Sequence, residues 1–262
     1  MYIDFHTHGK LAKKIPFTIR YVDWLFREAK AAGLDAFCLT EHADTFQFDE
    51  LYHYIASIGR PEGDTLVLNG LRIFPGMEID VAEGGHVLTI GSLESIMELH
   101  TRLESMENKQ PPFFELMDVL GQYPVLSGAA HPFRNGGHIP ELPKEQLMRL
   151  HFLDLNGKDM AENRDRIERL TYGLGRALDI PVVGGSDTHQ AAQYGCICSC
   201  FMKDCVTVSE LRQEMLEGHY RIEFRPDAAF RVKTAGQLKR ALKAVHALGG
   251  DYVSVLLGEQ NA

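Results

Sequence analysis

The chain begins MYIDFHTHGK, with His6 and His8 one residue apart after a short apolar run. Residues 2–5 read as the first strand of a buried sheet. Side chains alternate faces along a strand, so Asp4, His6 and His8 fall on one side. Two imidazoles converging there suit a divalent metal; alone, they are equally well read as solvated residues at a strand end. Other polar residues favour the metal because they recur at one place, just past the C-terminal end of a strand-like run. Glu41 and His42 follow the second run, Glu78 the third, His131 the fifth, Asn156 the sixth, and Asp187 with His189 the seventh. In parallel α/β folds that edge is where active sites are built.

A mixed His, Asp and Glu set without cysteine suits zinc, manganese or iron, and manganese gains as carboxylates accumulate. One tetrahedral ion takes about three protein ligands plus water. The set here is larger, which implies two or three divalent ions sharing a bridging carboxylate. Such sites hold a bridging water, lower its pKa and clamp the attacking and leaving oxygens of a phosphoryl transfer. Hydrolysis is the reaction class that follows.

The elements that must position these residues alternate along the chain. Apolar strand-like runs lie at 2–5, 36–39, 72–74, 87–90, 125–126, 152–155 and 181–183. Between residues 18 and 32, Val22, Leu25, Phe26 and Ala29 recur at helical spacing, with Thr18 as N-cap and Gly33 as the stop. Further helices are expected at 93–106, 113–121, 144–150, 162–178, 209–218 and, basic and amphipathic, 234–248. Strands alternating with helices imply parallel strands and right-handed crossovers, in an open doubly wound sheet or a closed barrel. No composition break divides the 262 residues, which are read as a single domain.

No signal-like segment and no bilayer-length apolar run is present, so the expected location is the cytoplasm and no membrane partner is expected. A net charge of -9 argues against binding long duplex nucleic acid. It leaves room for a small phosphorylated substrate, which a few local basic residues can hold. Cys196, Cys198, Cys200 and Cys205 alternate like one face of a strand. They read as small buried hydrophobes in a reducing compartment rather than soft-metal ligands, because the usual two-residue spacing is missing. The pairs Gly84-Gly85 and Gly136-Gly137 do not fit a pyrophosphate cradle, and Ser186 lacks a nucleophile-elbow sequence.

The segments DFHTH, LTEH, GMEID, GHVLTIG, AAHPF and GGSDTH, in that order over residues 1–195, resemble the successive motifs of the PHP family, named for polymerase and histidinol phosphatase. The resemblance implies a distorted (β/α)7 TIM-like barrel, with residues 196–262 as a C-terminal extension packed on it. It also implies a cluster of two or three divalent ions in a phosphoesterase. His6 and His8 would bind one ion with Asp187. Glu78 would bridge to a second ion held by His131 and His86, and His42 with His189 would lie at a third position. Glu41, where relatives often carry Asp, would orient a ligand histidine.

The departure from the family follows the opening motif. Many relatives carry an Asp or His shortly after the second histidine, whereas this chain reads Gly9, Lys10, Leu11, Ala12, Lys13, Lys14. A third ion is then absent or weakly held, or an incoming segment supplies its ligand. Lys13 or Lys14 either sets an ammonium beside the site for a substrate phosphate or is simply solvated. Arg134, three residues past His131, is placed to grip a phosphate bidentately or to form an exposed ion pair. His138 is a candidate substrate contact or general acid, while His53, His100, His151 and His219 read as structural.

The expected activity is a metal-dependent phosphoesterase acting on a small phosphate monoester or short nucleotide. A metal-bridging hydroxide held at Glu78 and Asp187 would attack phosphorus in line, with Arg134 and the ions stabilising the developing charge. A histidinol-phosphatase-like enzyme and a single-strand nuclease are the enzymatic alternatives. A non-catalytic metal-binding regulatory module is the alternative from another class. Oligomeric state is not legible in the sequence.

Overall fold

In the computed structural model, which describes residues 1–259, eleven strands form one sheet that curls into a nearly closed barrel. In chain order the strands are β1 (Tyr2–Thr7), β2 (Ala36–Leu39), β3 (Arg60–Glu62), β4 (Thr65–Leu68), β5 (Leu71–Asp80), β6 (His86–Ile90), β7 (Leu126–Ala130), β8 (Phe152–Asn156), β9 (Val182–Gly185), β10 (Ile197–Phe201) and β11 (Tyr220–Phe224). The helices are α1 (Ile19–Ala31), α2 (Phe48–Ile58), α3 (Leu93–Glu104), α4 (Phe113–Leu120), α5 (Lys144–Leu147), α6 (Gly157–Leu178), α7 (Val208–Glu217), α8 (Ala228–Ala247) and α9 (Tyr252–Leu257).

The barrel runs β1-β2-β5-β6-β7-β8-β9, the distorted seven-stranded arrangement expected. It closes where Asp187 N donates to His6 O at 2.8 Å and His8 N donates to Thr188 O at 2.9 Å. The start of β1 is taken instead by β10, which pairs antiparallel at Tyr2 and Ile3 and carries β11 beyond it.

One strand departs from the expected parallel order. β6 runs antiparallel to both β5 and β7. Only residues 81–85 separate β5 from β6, and a parallel crossover needs about a dozen residues or more. The reversal has a functional consequence: His86, at the start of β6, pairs in register with Asp80 at the end of β5 and Ala130 at the end of β7. It therefore reaches the rim that the other strands reach with their C-terminal ends.

β5 is also longer than the 72–74 run suggests. Its first half pairs with β2 and its second with β6, so Glu78 lies inside a strand rather than past its end. Gly76 sits at the changeover, where a Cβ would stand 2.4 Å from Thr89 O. Glycine lets the two backbones approach there.

α1 buries Val22, Leu25, Phe26 and Ala29 as its spacing predicts, although Thr18 occupies the N-cap without a side-chain bond. α6 begins well before residue 162 because the Asn156 side chain caps Lys158 N at 3.0 Å, and the helix breaks at Asn163. α8 likewise starts at Ala228 rather than 234. The helix α2 and the β3–β4 hairpin are not anticipated by the apolar spacing.

Ile3, Phe5, Phe74, Leu88, Phe152 and Phe201 form an inner apolar cluster that Val208, Leu211 and Met215 of α7 join. A larger outer cluster packs the helices on the barrel. Cys196, Cys198 and Cys205 are buried free thiols, and burial pushes Cys198 up to about 12 and Cys205 to about 11. Among the described residues no helix is long and apolar enough to cross a membrane.

Candidate metal centre

The polar rim begins with an irregularity in β1. Consecutive residues Phe5 and His6 both reach β8: the Phe5 ring packs 5.7 Å from that of Phe152, and His6 Nδ1 lies 3.0 Å from Asp154 Oδ2. Plain alternation would send them to opposite faces. The pairing with β2 slips between Asp4 and Thr7, which accounts for the change. Gly185 makes room for the contact, since a Cβ there would stand 2.5 Å from Asp154 Oδ1 and 2.6 Å from His6 Cβ.

Two rim residues are held in the left-handed backbone region, His131 at φ 31° and Asp187 at φ 56°. Non-glycine residues there cost about 1–3 kcal/mol and are retained where the surroundings fix them. His131 N donates to Asp154 Oδ2 at 3.2 Å, and Asp187 N is tied to His6 O.

Glu78 stands at the centre. Its Oε1 is 3.0 Å from Nε2 of His131 and 3.0 Å from Nδ1 of His86. Its Oε2 is 3.4 Å from Nε2 of both His6 and His8 and 3.1 Å from Nδ1 of His42. Asp187 Oδ1 lies 3.4 Å from His8 Nε2 and 3.6 Å from His189 Nδ1. Ligands about 2.1 Å from one tetrahedral ion are about 3.4 Å apart.

Three groups of potential ligands lie in the rim itself, His6–His8–Asp187, His6–Glu78–His131 and His8–His42–His189, each with ligand atoms within 4.8 Å of one another. His6 Nε2, His8 Nε2, His42 Nδ1 and Glu78 Oε2 are buried without a hydrogen-bond partner. Each such atom costs about 1–3 kcal/mol unless something satisfies it. A divalent cation is what this donor set fits.

The electrostatics agree. Burial would raise Glu78 and Asp187, but the histidines around Glu78, and Arg134 with His8 beside Asp187, hold both carboxyls well below the usual range. Burial lowers His131, His189 and His42, the last to about 3, leaving neutral imidazoles. His6 and His8 behave oppositely. Burial opposes their charge, but Glu78 and Asp154 raise His6 well above its ordinary value, and Asp187 and Glu41 raise His8.

All the rim residues singled out in the sequence meet here: His6, His8, His42, Glu78, His86, His131, Asp187 and His189. Glu41 lies behind them, 3.4 Å from His8 Nδ1, and its carboxylate accepts the backbone N–H groups of Gly9, Lys10 and His42. Arg134 is neither free nor merely exposed. It donates to Asp159 Oδ1 at 3.0 Å and Asn156 Oδ1 at 3.1 Å, and its Nη1 forms an ion pair with Asp187 Oδ2 at 2.8 Å.

His138 is not brought in; it is exposed and paired with Glu141. His100 is not among the rim ligands; it stacks on Phe48, bonds Ala43 O and lines the cleft beside Asp44 and Asp80, while His151 accepts from Ser127 N away from the rim. Sequence reasoning missed Asp154, Asp159 and Lys158. The signal for Asp154 is an acid inside the apolar run FLDLN.

The chain belongs to the PHP domain family, which matches over residues 5–170. No curated protein matches it. Among solved structures, PsfC from Pseudomonas syringae PB-5123 is 22% identical, with a TM-score of 0.74 over 92% of this chain and 98% of that one. The lesion-specific endonuclease PfuEndoQ from Pyrococcus furiosus is 18% identical, with a TM-score of 0.62 over 84% of this chain and 57% of that one. Endonuclease Q in complex with a 27-mer duplex substrate is 19% identical, with a TM-score of 0.63 over 83% and 56%. These likenesses establish the fold. Family membership and the donor set together support a metal-dependent hydrolase in general.

Proposed function

We propose that this protein hydrolyses the phosphate ester of a small molecule or short nucleotide. Two or three divalent ions, manganese, zinc or iron, would be held by His6, His8, His42, Glu78, His86, His131, Asp187 and His189. The reading is carried by the unpartnered His6 Nε2, His8 Nε2 and Glu78 Oε2 converging on one buried point. Bound ions would supply Lewis-acid activation of water and neutralise charge on the phosphoryl group.

The chain's own residues do the rest. Glu78 and Asp187 remain anionic and order the centre, while Asp154 holds the imidazole of His6 and the Glu41 carboxylate faces Nδ1 of His8. Arg134 donates to Asp159 and Asn156 and pairs with Asp187, and its remaining N–H donors can take a phosphate oxygen. Lys158 Nζ, 3.4 Å from Asp187 Oδ2, adds a second cation at this edge. A cleft of about 490 Å³, lined by Asp44, Asp80, Leu103 and Gln110 among others, opens beside the rim and suits the non-reacting part of a substrate.

The test is metal analysis of the purified protein with turnover of phosphorylated metabolites and short oligonucleotides under manganese, zinc and iron. His8→Ala and Asp187→Ala should remove metal and turnover together, and wild-type turnover in either variant rejects the site. Full metal occupancy with no turnover of any phosphoester rejects the enzyme reading in favour of a regulatory module. A nuclease is the second reading, since Endonuclease Q, which shares the fold, is a lesion-specific endonuclease; a single-stranded substrate is the form the charge of this chain favours. The net charge of -9 weighs against a long duplex as substrate. We place the reaction in the cytoplasm.

A further inference from the structure

A fourth group with metal-ligand geometry, His42, Asp44 and Asp80, adjoins the centre, its ligand atoms within 4.8 Å of one another. Here one ammonium lies between two of the three members. Lys13 Nζ lies 2.7 Å from Asp44 Oδ1 and 3.0 and 3.3 Å from the two oxygens of Asp80.

The lysine is not a wandering surface chain. Its backbone carbonyl accepts from Phe46 N at 2.9 Å, Thr45 Oγ1 at 3.1 Å and Lys10 Nζ at 3.3 Å. Lys10, itself only 2% exposed, also donates to Thr45 Oγ1 at 3.0 Å and to Phe46 O. The 10–14 loop is thereby pinned to the 43–46 loop, and the ammonium is delivered to a fixed point. Asp80 passes the contact on, since its Oδ1 lies 3.2 Å from Nε2 of His86, whose Nδ1 faces Glu78.

We infer that Lys13 is a built-in cation that occupies the His42–Asp44–Asp80 group and keeps a divalent ion out of it. The inference rests on the reading of the neighbouring residues as a metal centre. An ammonium brings one positive charge and three donors, enough to satisfy the facing carboxylate oxygens. Two acids and an imidazole with no lysine among them form a carboxylate-rich set of the kind that takes manganese. Removing the ammonium while keeping the acids therefore opens the position to an ion.

The experiment is an equilibrium manganese titration followed by electron paramagnetic resonance, on wild type, Lys13→Met, Lys13→Arg and the double variant Lys13→Met/Asp44→Asn. Lys13→Met should bind one ion per chain more than wild type. Lys13→Arg and the double variant should match wild type. Anomalous diffraction from a manganese-loaded Lys13→Met crystal should place the added ion between His42, Asp44 and Asp80. Equal stoichiometry in wild type and Lys13→Met, or an ion at that point in wild type, overturns the inference while leaving the metal centre standing. No manganese in any of the four proteins overturns both.

Discussion

Asp154 Oδ2 lies 3.0 Å from Nδ1 of His6, so the ring donates its Nδ1 proton to the carboxylate and turns Nε2 toward Glu78. The same oxygen accepts from His131 N and from the Asn156 side chain at 2.9 Å. One buried carboxylate thus orients residues in β1 and β8 and the residue just past β7. Partners of this kind set the tautomer and direction of a ligand histidine.

Replacing Asp154 should accordingly be felt in metal affinity before stability. Asp154→Ala is expected to weaken manganese binding roughly 10- to 100-fold, and Asp154→Asn less, because its amide oxygen still accepts from Nδ1. Equilibrium dialysis measures this directly. Wild-type affinity in the alanine variant would show that His6 needs no such support.

Glu78 touches more of the rim histidines than any other carboxylate named here, so Glu78→Gln should lose bound metal and reduce hydrolysis by roughly 100-fold or more. Each ion present at about a hundred times its dissociation constant stabilises a fold by about 2.7 kcal/mol. For a chain of this size that is about 5–10 °C in Tm per ion. Chelation should produce a drop of that order in wild type and almost none in Glu78→Gln. Equal drops in both proteins would place the stabilising ions elsewhere.

His6 and His8 hold raised pKa values without an ion, and a metal takes the neutral imidazole. Binding at neutral pH should release protons, and affinity should fall as the pH is lowered. In the ion-free protein the sign is the reverse. A histidine raised on folding contributes stability below its unfolded value and loses it as pH rises through its folded value. Calorimetry in two buffers of different ionisation enthalpy reads the release. Identical heats would rule it out.

Arg134→Ala should raise KM for a phosphomonoester roughly 10- to 100-fold, the range for losing a charge-assisted hydrogen bond. Metal content should be unchanged. Loss of metal with KM unaltered at saturating manganese would instead mean that the guanidinium serves only to hold Asp187.

How much of this was legible depends on which residues carried the signal. His6, His8, His131, Asp187 and His189 announce themselves because each ends an apolar run, and chain order alone brings such ends to one rim. The apolar spacing likewise determined the barrel strands and α1, since burial of a periodic face is a local requirement. The direction of β6, the pairing of Asp80 with His86, and the reach of Asp154 to His6 were decided by strand register and by the slip in β1. The lysines after His8 show the same division. Their presence is plain in the chain, but a loop lysine is solvated or engaged according to what packs over it, and only the fold sets Lys13 between Asp44 and Asp80. Periodicity reports which face of an element is buried; which residue it meets there is fixed by closure of the barrel, a relation between segments far apart in sequence.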